Sequence, residues 1–360
     1  MKKSLIIALG AIALVACTKT SVSYEQTGEI GFAPVARMNG TKATAISSTA
    51  FPDAWNLKVY GYYDNTIGTG ESYSDGHFTE DYLSGIEFAK NARGATAGFW
   101  LGKEHAYYWP KTGSILFAAY APADYAAATV AHNKAHNTFS VSEMAQPTDF
   151  SKTVDLLYSP YTTSHNKTVV HMTFAHAFSW ITIKAQSDAK ISVKIKSIVL
   201  KGMAAKGSAD ALPTWTVSGE QDLNVFTDAA GAVVTNELLE FANAKGSVLL
   251  FPQALGNNAV LEVTYAMDKG DGTFVEQSPY AIALNTLKAD KSNGVEINKW
   301  EAGKHYFYNI VFGAADEIQI APDIDKWDEV TFENISATKG GRRITTKDFV
   351  SSSIYYFTLL

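Results

Sequence analysis

Val170-His171-Met172-Thr173-Phe174-Ala175-His176-Ala177-Phe178-Ser179-Trp180 sets Val170, Met172, Phe174, His176, Phe178 and Trp180 at every second position, with Thr173, Ala175 and Ser179 among the residues between. A period of two sends alternate side chains to opposite faces of an extended chain, so the stretch reads as a β-strand with one buried face. Ile181 and Ile183 then take the other parity, which predicts a bulge or tight corner near Trp180.

The signal repeats in both directions. Upstream, Leu57-Lys58-Val59-Tyr60-Gly61-Tyr62-Tyr63 is rich in β-formers and closes in Asp64-Asn65, and Ile115-Leu116-Phe117-Ala118-Ala119-Tyr120 ends at Pro122. Downstream, Lys194 and Lys196 point away from Val193 and Ile195 before Ile198 and Leu200 change parity. Ser247 to Phe251 reads as a short buried strand. Leu261, Val263, Tyr265 and Met267 lead through the glycine-bearing stretch Asp268 to Thr273 into Phe274 and Val275, which predicts a hairpin. Tyr306, Tyr308, Ile310 and Phe312 alternate again. Many short strands between Gly, Asn, Asp and Pro signals predict an all-β chain of antiparallel sandwiches. The best helical candidate, Ala123 to Ala131, is short.

At the N-terminus, Lys2 and Lys3 precede an uncharged run from Leu5 to Ala16 and then Leu14-Val15-Ala16-Cys17, the order of parts in a secretory signal peptide, here 1–16. The run is shorter than the roughly 20 residues a membrane-spanning helix needs. Small residues before a cysteine suit a lipoprotein signal peptidase, which predicts lipidation of Cys17. Cys17 is the only cysteine in 360 residues, so the fold must hold by core burial without an internal disulfide. With 46% hydrophobic and 12% aromatic residues it can. Removing Lys2 and Lys3 takes the net charge from −6 to −8, a mildly acidic, well-mixed balance that argues against a nucleic-acid partner. The length suggests two domains.

Candidate chemistry is sparse. His132 and His136 have the i, i+4 spacing of a metal pair on a helix, but the intervening Asn133, Lys134 and Ala135 include no catalytic glutamate and read as exposed loop. His171 and His176 are an odd number apart and fall on opposite strand faces; His176, in the apolar row, reads as a hydrogen-bonded core histidine. Asp268 to Thr273 resembles a calcium loop in composition only and reads as a turn. Gly68-Thr69-Gly70 lacks the third glycine and the helix of a phosphate cradle. There is no nucleophile elbow, catalytic cysteine or P-loop. We expect no enzyme, no metal and no cofactor. Tyr107-Tyr108-Trp109-Pro110 is the densest aromatic cluster among 18 tyrosines and 7 tryptophans, and reads as structural.

Five blocks, in order, resemble the fimbrillin family of type V pilins: Phe51 to Tyr63; Tyr108-Trp109-Pro110 with Phe117 to Pro122; Asp155-Leu156-Leu157-Tyr158; Phe174-Ala175-His176-Ala177-Phe178-Ser179; and Trp300-Glu301-Ala302-Gly303-Lys304-His305-Tyr306, with Trp327 after it. The resemblance spans residues 28 to 333. It implies two transthyretin-like antiparallel β-sandwich domains in tandem, 38–167 and 168–335, behind an N-terminal propeptide at 17–37. It also implies export as a lipoprotein to the outer membrane and cell surface, and removal of the first strand by an arginine-specific surface protease. The matching residues are Ile30 to Val35, with Ile30, Phe32 and Pro34 on one face, and the bond Arg37-Met38; Lys42-Ala43 is the second choice.

Losing an edge strand would expose backbone groups above an apolar groove, and such an edge recruits an extended segment from another subunit. The tail 336–360 carries a candidate donor. Phe349, Tyr355, Phe357 and Leu359 share one face and Val350, Ile354, Tyr356 and Leu360 the other, and twelve extended residues reach ~40 Å. The alternative is that the tail adds a strand to its own second domain. The expected function is a fimbrial stalk or accessory tip subunit supporting adhesion. Its expected partners are other pilus subunits and the outer membrane, with a host glycan or protein receptor as a further candidate. Alternatives are an outer-membrane anchor that keeps its lipid, or a surface glycan-binding protein.

Overall fold

The computed structural model describes residues 28–36, 51–65, 77–78, 80–95, 98–134, 138–164, 169–241, 248–268, 270–289, 295–313 and 318–326. Cys17, Arg37, Met38, Lys42, Gly68, Gly70, His136, Trp327 and the whole tail from Phe349 to Leu360 lie outside these residues.

Strands dominate. Gly31–Ala36 (β1), Leu57–Asp64 (β2), Glu80–Lys90 (β3), Trp100–Gly102 (β4) and Ser114–Ala121 (β5) come first, followed by Val130–Asn133 (β6), Thr138–Ala145 (β7), Leu157–Ser164 (β8) and Val170–His176 (β9). Seven of these close on themselves in the order β1-β4-β3-β2-β5-β8-β9. Every pair in this ring is antiparallel except β1 with β9, which is parallel. Inside it, Ile30, Phe32, Leu57, Val59, Phe88, Phe117, Met172 and Phe174 make one core. All of β5 is buried, because its two faces serve two cores: Ile115, Phe117, Ala119 and Ala121 face this one, Ala118 and Tyr120 another.

The chain leaves the first sheet after His176. Ser179–Ser187 (β10) is already in the next, so the corner expected near Trp180 falls at Ala177-Phe178. Then come Ser192–Ala211 (β11), Thr214–Val234 (β12), Leu239–Glu240 (β13), Val248–Leu250 (β14), Gln253–Ala254 (β15), Val260–Asp268 (β16), Val275–Glu276 (β17) and Tyr280–Ala283 (β18). Lys288–Ala289 (β19), Val295–Glu296 (β20), Lys299–Trp300 (β21), Lys304–Phe312 (β22) and Ile318–Lys326 (β23) complete the body. One sheet runs β13-β10-β22-β23 with β14 against β10; the other runs β17-β16-β11-β7-β6, with β12 along β11 and β18 along β16. Ile181, Ile183, Val193, Ile195, Leu261, Val263, Tyr308 and Ile310 form their shared core. The parity change read after Lys196 is a bulge between Ile195 and Ser197, which keeps Ile198 and Leu200 buried.

The hairpin β6–β7 belongs to the second sheet through β7 against β11. A third cluster, including Tyr120, Phe139, Met144, Tyr158, Phe178, Trp180, Ala209 and Phe251, ties it to β5 and β8. Backbone and ring meet closely there: a Cβ at Gly207 would lie 2.7 Å from the Phe251 ring. The expected helix at Ala123 to Ala131 is absent. Tyr125 N donates to Pro122 O in a turn, and Val130 pairs with Val141, since a piece this short cannot repay helix nucleation against a ready sheet partner.

Candidate functional site

The strand β1 and its surroundings are the candidate site. Phe32 is fully buried, with its ring edge-on to Phe88 at 4.9 Å and to Phe117 at 5.1 Å. Ile30 is fully buried as well, and Pro34 is buried beside them, so the three residues share the inner face that the alternation demands.

An edge strand was expected, and the pairing differs. Gly31 and Phe32 pair with Leu101 and Trp100 on one side, while Phe32 to Ala36 pair with Val170 to Phe174 on the other. Ahead of them, Ile30 N donates to Tyr107 O at 2.7 Å, Trp109 N donates to Gly28 O at 2.9 Å, and Glu29 bridges to Tyr108. The segment 28–31 is therefore held along β4 and residues 107–109, Phe32 is paired on both sides, and the strand as a whole is the stave that closes the barrel. Residues 33–36 have only β9 as a ladder partner. A proline suits this half, since it has no N–H to offer a second neighbour.

The aromatic block Tyr107 to Pro110 supplies one wall. Tyr107 and Trp109 pack on the barrel core, with Trp109 edge-on to Phe117 at 5.8 Å, while Tyr108 is 55% exposed. At the mouth, Arg93 occupies a left-handed backbone position (φ 55) and its guanidinium reaches three groups. Nη1 donates to the carbonyl oxygens of Gly102 and of His105, the latter at 2.9 Å, and Nη2 pairs with the Glu29 carboxylate. Nothing local in the sequence marks this contact: Glu29 and Arg93 are 64 positions apart, and neither belongs to a motif.

The sequence blocks that resembled a family meet at the floor of this barrel and the start of the next sheet. Leu157 and Tyr158 pair with His176 and Ala175, and His176 Nδ1 lies 2.7 Å from the fully buried Asp155 carboxylate, the hydrogen-bonded core histidine expected. Ser179 Oγ donates to Glu301 O at 2.8 Å, and Gly303 N donates to Phe178 O at 2.9 Å. His305 stacks on Trp180 at 3.7 Å, and Trp300 Nε1 donates to the Tyr308 hydroxyl at 2.9 Å. Burial, and second the Lys184 charge, push the His305 imidazole down to about 3, so it stays neutral. Burial alone raises Tyr158 to about 12.

His132 lies in β6, half-buried, rather than in an exposed loop; its Nδ1 is 2.8 Å from Tyr62 Oη and its ring stacks on Tyr60. His171 is exposed opposite the buried His176, as their odd spacing requires. Asp268 Oδ1 accepts backbone N–H bonds from Gly270, Asp271 and Gly272 at 2.8 to 3.1 Å, led by the Gly270 bond in holding its carboxyl below the usual range. The carboxylate closes a turn, and β17 follows in hairpin register with β16. Among the described residues no group of three His, Cys, Asp or Glu is disposed to hold a metal.

No curated protein matches the chain. Among solved structures it is similar to a "putative cell adhesion protein" from Bacteroides uniformis, at 16% identity and TM-score 0.47 over 84% of this chain and 100% of that one. A protein of the same description from Bacteroides ovatus follows at 14% identity and TM-score 0.43, over 84% and 98%. The tip fimbrial protein Mfa3 from Porphyromonas gingivalis, with a C-terminal truncation, shares 11% identity at TM-score 0.35, over 76% and 94%. At identities and TM-scores this low the likenesses carry no argument of their own. A family model described as fimbrillin-like matches residues 41–327, most of the chain, beginning just after β1. It is a family of structural subunits of cell-surface fimbriae, not of enzymes. This chain belongs to the fimbrillin-like family.

Proposed function

We propose that this fimbrial subunit is exported as a lipoprotein through Cys17, and that it assembles when an arginine-specific surface protease cuts Arg37-Met38. Residues 17–37 then leave and an extended segment of a neighbouring subunit takes the place of β1. One observation carries this reading: β1 is the stave that closes the barrel, with Ile30, Phe32 and Pro34 buried, its first half paired along β4 and its half nearest Arg37 along β9. Removing such a strand leaves a groove with unpaired backbone on both walls, a stronger demand for replacement than a lost edge would create. The composition agrees. The chain has four arginines, at 37, 93, 342 and 343, and the one among the described residues, Arg93, has its guanidinium engaged.

The tail Phe349 to Leu360 is our candidate for the incoming strand, with addition to its own second sandwich as the competing fate. We read the body as two tandem sandwiches over 38–167 and 168–335 that trade strands across that line, β9 staying with the first and β6–β7 with the second.

Incubating the purified precursor with an arginine-specific protease tests the proposal. A product beginning at Met38, still ending at Leu360, and forming an oligomer ladder supports it; a stable product that begins before Met38 and stays monomeric overturns it. Loss of the residues after Arg343 would remove the tail as donor. An assembled form that keeps diacylglycerol on Cys17 would instead indicate the outer-membrane anchor. Glycan binding abolished by Trp109→Ala in a folded protein would favour a receptor role, though the half-buried Trp109 ring packs on the core.

A further inference from the structure

Arg93 holds the mouth of the β1 seam with contacts of two kinds. The carbonyl oxygens of Gly102 and His105 belong to the body and remain if β1 departs; the Glu29 carboxylate leaves with the strand. The side chains of Arg93 and Glu29 are 28% and 14% exposed, so the pair is partly shielded from water, and a charge-assisted hydrogen bond there counts for more than one fully in solvent. A guanidinium keeps its charge at every pH at which the protein folds. Once vacated, the seam presents a fixed cationic fork lacking one acceptor, beside the two sockets left by Ile30 and Phe32.

We infer that Arg93 is the specificity residue of this seam: it selects an extended segment whose carboxylate stands at the place of Glu29, one residue before the first buried apolar side chain and three before the second. The inference rests on the strand replacement proposed above and adds the chemistry of the partner. An incoming lysine or arginine at that place would meet a like charge and be rejected, which fixes register as well as identity. In this chain Asp348-Phe349 reproduces the first two positions, but Ser351 stands where Phe32 would, so the tail satisfies the pattern in part.

The test uses the full chain cut at Arg37 and an excess of fluorescein-labelled peptides of residues 28–36: the native sequence, Glu29→Gln and Glu29→Lys. Uptake is read by anisotropy. The Glu29→Gln peptide is expected to bind about tenfold more weakly than the native one, and Glu29→Lys more weakly still. In Arg93→Gln protein the native and Glu29→Gln peptides should come within about twofold of each other, because the coupling is gone. Equal binding of all three peptides to the wild-type protein overturns the inference while leaving strand replacement standing. Uptake of none overturns both. If near-UV circular dichroism shows that Arg93→Gln does not fold, the wild-type peptide series alone decides.

Discussion

Acidification from pH 7 to pH 5 should destabilise this protein through one histidine. His305, in β22, is 5% exposed, stacked on Trp180 at 3.7 Å with the Phe307 ring tilted against it at 3.9 Å, and has Nε2 2.8 Å from Thr182 Oγ1. Burial first, then the Lys184 charge, depress its folded value from 6.5 to about 3. The imidazole is neutral in the folded state, whereas the unfolded chain takes up a proton below 6.5. The stability it contributes is therefore complete above that value and is lost as the pH falls from 6.5 toward 3. Each pH unit in that window is worth about 1.4 kcal/mol, so at pH 5 the loss is about 2 kcal/mol. That is a large share of the 5–15 kcal/mol typical of a folded domain. Urea unfolding of wild type and His305→Gln at both pH values isolates the effect, because carboxylates contribute alike to both proteins. Wild type should lose about 2 kcal/mol more than the variant. An identical loss in the two would refute the assignment of a buried neutral imidazole.

Three further outcomes follow from the packing. Phe32→Ala removes a ring with no exposure from between Phe88 and Phe117, and should lower stability by about 3–5 kcal/mol in urea unfolding; an unchanged midpoint would mean β1 does not anchor the barrel. Gly207→Ala places a Cβ 2.7 Å from the Phe251 ring and should cost about 1–3 kcal/mol, measured in the same way; a neutral result would mean that the Phe251 ring moves off β11 more easily than their contact implies. His176→Ala leaves the Asp155 carboxyl buried without its 2.7 Å partner, for a loss of about 1–3 kcal/mol, and Asp155→Asn, which can still hydrogen-bond the ring, should cost less; the reverse order would refute that hydrogen bond as what holds the pair.

Much of this was legible in the residues, and the boundary is physical. Alternation is local: Val170 to His176 declares a strand whatever it pairs with, the parity switch after Lys196 declares a bulge, and the buried place of His176 follows from its neighbours at two-residue spacing. The five sequence blocks carry the family resemblance because their residues answer one another, Asp155 to His176, Phe178 to Gly303 and Ser179 to Glu301. Pairing partners are another matter. That β1 closes a barrel with a parallel neighbour, that β6–β7 joins the later sheet instead of forming a helical turn, and that Glu29 answers Arg93 are decided by which faces remain unburied when the chain collapses. Those choices depend on loop closure and shared burial across scores of residues, and no pattern read over a dozen positions contains them.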